Sequence, residues 1–184
     1  MIRYALSAMA LFSTLVLAEP LTQLQAVEKG KKVSSELLQT LGNHLQERIQ
    51  TKGIVSGVNF CSQNGLVLTQ KVAEENNVTL KRVSVHNRNP QNLASEEETK
   101  ILVRWNHLKE AKKPLPEYEV ISQADGGYLY YQPIVIKNPL CLQCHGKNVK
   151  PAVAKAINAL YPEDNAKRYK IGDLRGMVVV GIPK

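Results

Sequence analysis

Cys141, Cys144 and His145 stand in the order Cys-x-x-Cys-His, the spacing of a covalent haem attachment sequence. Two cysteines separated by two residues fall within about one helical turn, so their sulfurs can form thioethers with the two vinyl groups of one porphyrin. His145, next in the chain, is then placed under the iron as a proximal imidazole ligand. A redox dithiol and half of a zinc site share the Cys-x-x-Cys spacing. Zinc needs further Cys or His pairs at ligand spacing, whereas the remaining candidates, Cys61, His44, His86 and His107, are scattered. A redox dithiol has no use for the adjacent histidine. The motif therefore predicts one covalent haem c and its iron as the cofactor.

The third of the three cysteines lies far from this motif. Val58, Cys61, Gly65, Leu68 and Val72 follow steps of three and four, which predicts a helix over Val55 to Asn76 with Cys61 on its buried face. With Cys141 and Cys144 consumed by haem, Cys61 is an odd thiol. Three readings are open: an inert buried cysteine, an intermolecular disulfide, or a thiolate serving as second axial ligand. Gly65, one turn further on the same face, would leave room for a flat porphyrin against the helix. Arg88, in the polar loop His86 to Pro90, is a candidate partner for a haem propionate, a structural loop arginine being the alternative. Met177 is the one methionine beyond the N-terminal segment and falls inside a run of valines, which disfavours a His/Met cytochrome.

These residues must be positioned by the surrounding elements. Residues 1–18 read as a secretory signal: Arg3 supplies the positive start, an apolar run follows to Leu17, and Val16-Leu17-Ala18 offers a cleavage site before Glu19. An uncleaved anchor is the alternative, but the run is short for the ~20 residues of a membrane span. Residues 19–54 form a helical segment, with apolar residues recurring at helical spacing over Leu21 to Gln50 and Gly30 expected to kink or divide it. Such a helix can pack on the domain or pair with a second copy of the chain.

Residues 55–184 then carry the helix holding Cys61 and a strand over Val78 to His86. A helix opened by the capping box of Ser95 and Glu98 follows, with Ile101, Leu102, Trp105 and Leu108 on its apolar face. Two strands, Glu117 to Gln123 and Gly127 to Ile136, are joined through Asp125-Gly126. Asn138-Pro139 turns the chain into the Cys-x-x-Cys-His motif. A helix from Pro151 to about Leu160 and a strand from Met177 to Ile182 complete the order. An antiparallel hairpin without regular strand-helix alternation indicates an α+β domain rather than the all-helical fold of common small cytochromes c.

At 184 residues less the signal, the chain suits a single domain, and with only 5% aromatic residues its core must be mainly aliphatic. The net charge of +8 would suggest nucleic acid in a cytoplasmic protein. Export redirects that expectation to an anionic membrane surface, an acidic redox partner or haem propionates. Lys147, Lys150, Lys155, Lys167, Arg168, Lys170 and Arg175 follow the haem motif closely.

An ordered set of short motifs resembles one known family. They are Asn59-Phe60-Cys61-Ser62; Lys81-Arg82-Val83-Ser84 leading to Arg88-Asn89-Pro90; Cys141 to Gly146; Tyr161-Pro162-Glu163-Asp164; and Gly172-Asp173-Leu174-Arg175-Gly176. The chain is similar to single-haem c-type domains with a PAS-like fold, found as exported cytochromes and as extracytoplasmic sensor modules of bacterial receptors. The resemblance implies axial ligation by His145 and Cys61. Thiolate ligation favours ferric iron and hence a low potential, and two occupied axial positions leave enzyme catalysis as the weakest reading. The expected protein is a periplasmic or otherwise exported monohaem cytochrome in low-potential electron transfer. A redox or gas sensor for carbon monoxide or nitric oxide is the alternative.

Overall fold

The computed structural model describes residues 21–184; the expected signal at 1–18 lies outside them. Five helices flank one four-stranded sheet. Helix α1 (Gln23–Lys52) starts with a capping box between Thr22 and Gln25 and closes at Gly53, whose φ of 80° suits glycine. Helix α2 (Ile54–Glu75) follows after that single residue and packs along α1. Strand β1 (Thr79–Val83), helix α3 (Glu96–Glu110), the hairpin β2 (Glu119–Ser122) and β3 (Tyr128–Val135), helix α4 (Pro139–His145), helix α5 (Pro151–Leu160) and strand β4 (Leu174–Ile182) complete the chain. This is the α+β architecture expected, with the sheet antiparallel throughout and ordered β1-β4-β3-β2.

The central strand β4 explains the core. Its side chains alternate between faces, so Val178, Val180 and Ile182 point toward α1 and α2, where they join Ala26, Val33, Leu37, Val72 and Tyr130. Met177 and Val179 point the other way, to Trp105, Ile101, Leu102 and Tyr131 under α3. A strand covered on both faces carries an unbroken apolar run. Met177 is fully buried there, in the core rather than beside the haem motif. The first half of α1 contributes to the same core, so the segment 19–54 and the unit 55–184 share it.

Gly30 does not divide α1, which is continuous over 30 residues. It lies against the Tyr130 ring, where a β-carbon would come within 2.2 Å of Cγ. The glycine is there for close approach. Strand β1 is shorter than expected because Ser84 leaves the ladder: its N–H donates to the Asn92 carbonyl at 3.0 Å and its carbonyl accepts from Ala94 N–H at 3.2 Å. A third, smaller apolar cluster of Val58, Val153 and Ile157, with Cys144 packed on it, joins α2, α5 and the haem motif.

Candidate haem site

Helix α4 consists of little more than the motif. The Asn138 side chain caps it by accepting from Leu140 N–H at 2.8 Å, and Pro139 occupies its first turn. Cys141, Cys144 and His145 are all half-buried on this one helix, as their spacing predicted. The segment from Asp164 to Tyr169 is laid against it. Tyr169 N–H donates to the His145 carbonyl at 2.9 Å, and Arg168 N–H donates to the Gly146 carbonyl at 3.2 Å.

His145 is held by this segment. Its Nδ1 lies 2.9 Å from the Ala166 carbonyl, and because a carbonyl only accepts, Nδ1 carries the proton and Nε2 keeps its lone pair. Burial, helped by the nearby charges of Arg175 and Arg88, pushes the imidazole pKa down to about 3. The ring is therefore neutral at ordinary pH, the state that binds a metal, with the other nitrogen fixed by a carbonyl as in ordered metal sites.

Arg88 does not stand free to meet a propionate through its whole guanidinium. Its Nε and Nη2 donate to Asp164 at 3.1 and 3.2 Å, and Nη2 also reaches the carbonyls of Cys144 at 2.7 Å and Ala166 at 3.2 Å. Only Nη1 is uncommitted. Asp164 in turn accepts from Ala166 N–H at 2.9 Å, and its side chain is fully buried. Arg88 and Asp164 thus tie the loop 86–90, the haem motif and the Ala166 turn together. The sequence reading missed Asp164 and Ala166, although Asp164 stands in the Tyr-Pro-Glu-Asp motif.

Cys61 comes to the same region from α2. It was expected on a buried face, yet solvent reaches it, while Val58, Gly65, Thr69 and Val72 form the covered stripe. Protein nonetheless crowds the thiol on most sides. That desolvation raises its pKa, opposed by the positive charges of Arg82 and Arg88. Cys61 lies within electrostatic range of Cys144, whose own thiol is raised by burial, so the fold brings the three cysteines into one neighbourhood. Gly65 is buried, and the group lying over it is the Arg82 guanidinium, with Nη2 3.4 Å from where a β-carbon would sit.

The donor set fits a haem c: two thiols on one helical turn, a neutral imidazole with Nε2 available, and a third sulfur from a different helix. Arg82, whose charge acts on Cys61, has an orphaned donor, Nε, buried without a hydrogen-bond partner. Zinc does not fit, because among the described residues no three His, Cys, Asp or Glu side chains converge as a metal-binding group. His44, His86 and His107 are exposed. Six of the seven basic residues after the motif are exposed, whereas Arg175 is half-buried, 5.4 Å from the Tyr169 ring centroid, and donates to the His86 carbonyl at 3.1 Å.

No curated protein matches the chain significantly. The crystal structure of the cyanobacterial heme-protein Tll0287 superposes with a TM-score of 0.59 at 24% identity, covering 86% of this chain and 92% of that one. At that identity the likeness shows the fold. The Tll0287-like family model matches residues 19–183, a span that includes every motif behind the PAS-like c-type haem resemblance. The chain belongs to the Tll0287-like family.

Proposed function

We propose that this protein is an exported monohaem c-type cytochrome with low-potential electron transfer as its task. The observation that carries the reading is the convergence of Cys61 from α2 on a motif helix whose His145 is already neutral and oriented by Ala166. Cys141 and Cys144 would each add an S–H across one vinyl group, and His145 and Cys61 would take the axial positions. Bound there, haem supplies a one-electron ferric/ferrous couple. The protein's part is to hold both ligands, keep His145 unprotonated and shield one side of the group through the Val58, Val153 and Ile157 cluster.

Export is supported by the apolar N-terminal segment and by a family match that begins at residue 19. Among the described residues no helix is long and apolar enough to cross a membrane. The exposed lysines beside the motif favour an acidic redox partner, and nucleic acid has no place in this reading. With both axial positions filled, we infer no enzymatic reaction.

One observation favours a sensor as second reading. Cys61 sits on a helix joined to α1 by Gly53 alone, so release of the sulfur on reduction would be felt along both helices. Prompt carbon monoxide binding by the reduced protein, with a change in α1 protection from hydrogen exchange, would support it.

The decisive experiment for the first reading is the mass of protein exported by a host able to attach haem c. The polypeptide plus one haem is expected, and Cys141→Ser with Cys144→Ser should return the bare mass. A bare mass for the parent chain would end the cytochrome reading.

A further inference from the structure

Arg82 stands apart among the described residues: its Nε is the one buried side-chain nitrogen or oxygen without a hydrogen-bond partner. It lies on β1 opposite Val178 and reaches across to α2, where Nη2 donates 3.2 Å to the Gly65 carbonyl. That carbonyl also accepts from Thr69 Oγ1 at 2.7 Å, so the contact is made with a fixed, already polarised group. Among the described residues no carboxylate forms an ion pair with Arg82. A crowded guanidinium with an unsatisfied donor and no anion carries a large desolvation cost unless a negative group completes it.

The charges that Arg82 feels are few. Arg175 repels it, and Cys61 and Tyr161 are the groups able to favour it. Burial raises the Tyr161 phenol and the Cys61 thiol alike, and of the two only the sulfur is placed on iron by the reading above. Cys61 remains, one helical turn before the glycine on which the guanidinium rests.

We propose that Arg82 is the charge partner of the Cys61 sulfur, a positioning residue that is pinned on the Gly65 carbonyl and retains the sulfur on the haem iron. The proposal rests on the axial role given to Cys61 above. Arg88 also carries positive charge near Cys61, but its Nε and Nη2 are committed to Asp164 and to main-chain carbonyls.

The test is displacement of Cys61 from the ferric, haem-loaded full chain by imidazole, followed in the absorption spectrum at a pH where imidazole is neutral. Arg82→Gln and Arg82→Met should both bind imidazole about tenfold more tightly than the parent, because the competing sulfur is held less well. Arg82→Lys, which keeps the charge, should stay within about threefold of the parent. Using two neutral variants, with circular dichroism and haem content checked, separates the effect from misfolding. Cys61→Ala provides the reference. If it binds imidazole no better than the parent, Cys61 is not a ligand and the underlying reading fails. If it binds more tightly while both neutral Arg82 variants match the parent, or if Arg82→Lys behaves like Arg82→Gln, the role assigned to Arg82 is wrong.

Discussion

Asp164 is paired with Arg88 through both carboxylate oxygens, at 3.1 and 3.2 Å, with the Asp164 side chain wholly buried and that of Arg88 only 12% exposed. The pair joins segments distant in sequence, because Arg88 also holds the Cys144 carbonyl and Asp164 also holds the Ala166 N–H. The turn that orients His145 therefore depends on an ion pair that His145 itself does not touch.

Asp164→Asn tests that dependence. Removing one partner of a buried pair leaves the other charge uncompensated, at about 3–5 kcal/mol. Urea denaturation should show the loss as a shifted midpoint. A loss below about 1 kcal/mol would mean that the pair is solvated in solution.

Cys61→Ala should separate ligation from stability. The thiol is reached by solvent, so truncation should change the stability of the folded chain by no more than about 0.5 kcal/mol. The ferric spectrum of the haem-loaded protein should nevertheless pass from low spin to high spin or to a new ligand set. An unchanged spectrum would remove Cys61 from the axial position.

Gly30→Ala gives opposing expectations for propensity and packing. Intrinsic preference would stabilise α1 by about 1 kcal/mol. The Tyr130 ring, 2.2 Å from the new methyl, forces the helix off the sheet instead, and overpacking of this kind costs about 1–3 kcal/mol. The melting temperature should fall. A rise would show that α1 is not docked on β3.

Tyr130 should make stability sensitive to alkali. Burial raises its phenol from 10.0 to about 12, so the unfolded chain loses this proton first. The contribution is complete below pH 10, declines as pH rises, and is gone by about pH 12. Denaturation midpoints measured across that window should fall, and Tyr130→Phe should remove its share of the slope. Equal slopes in the two proteins would place the phenol in solvent.

Much of the molecule was legible in the chain itself. Helices announced by apolar spacing and by the Ser95 capping box, the hairpin marked by Asp125-Gly126, and the clustering of Cys141, Cys144 and His145 are local matters, settled within a turn or two of backbone. The valine run of β4 marked a strand for the same reason, whereas its cover on both faces came from the packing.

What the linear order left open were relations between distant segments. Periodicity placed Cys61 on a helix but misjudged its exposure, because how far neighbouring elements cover one face of a helix is set by their packing and not by the spacing within the helix. A lone arginine in a polar loop looked suited to a propionate, and the fold gives it Asp164 as a partner, leaving only Nη1 uncommitted. Arg82 was marked only as a member of the Lys81-Arg82-Val83-Ser84 motif; the packing of β1 on α2 gave it a glycine carbonyl for a rest. Hydrogen bonds and charge pairs between distant segments depend on how the sheet and helices stack, and that stacking is decided by the whole core together.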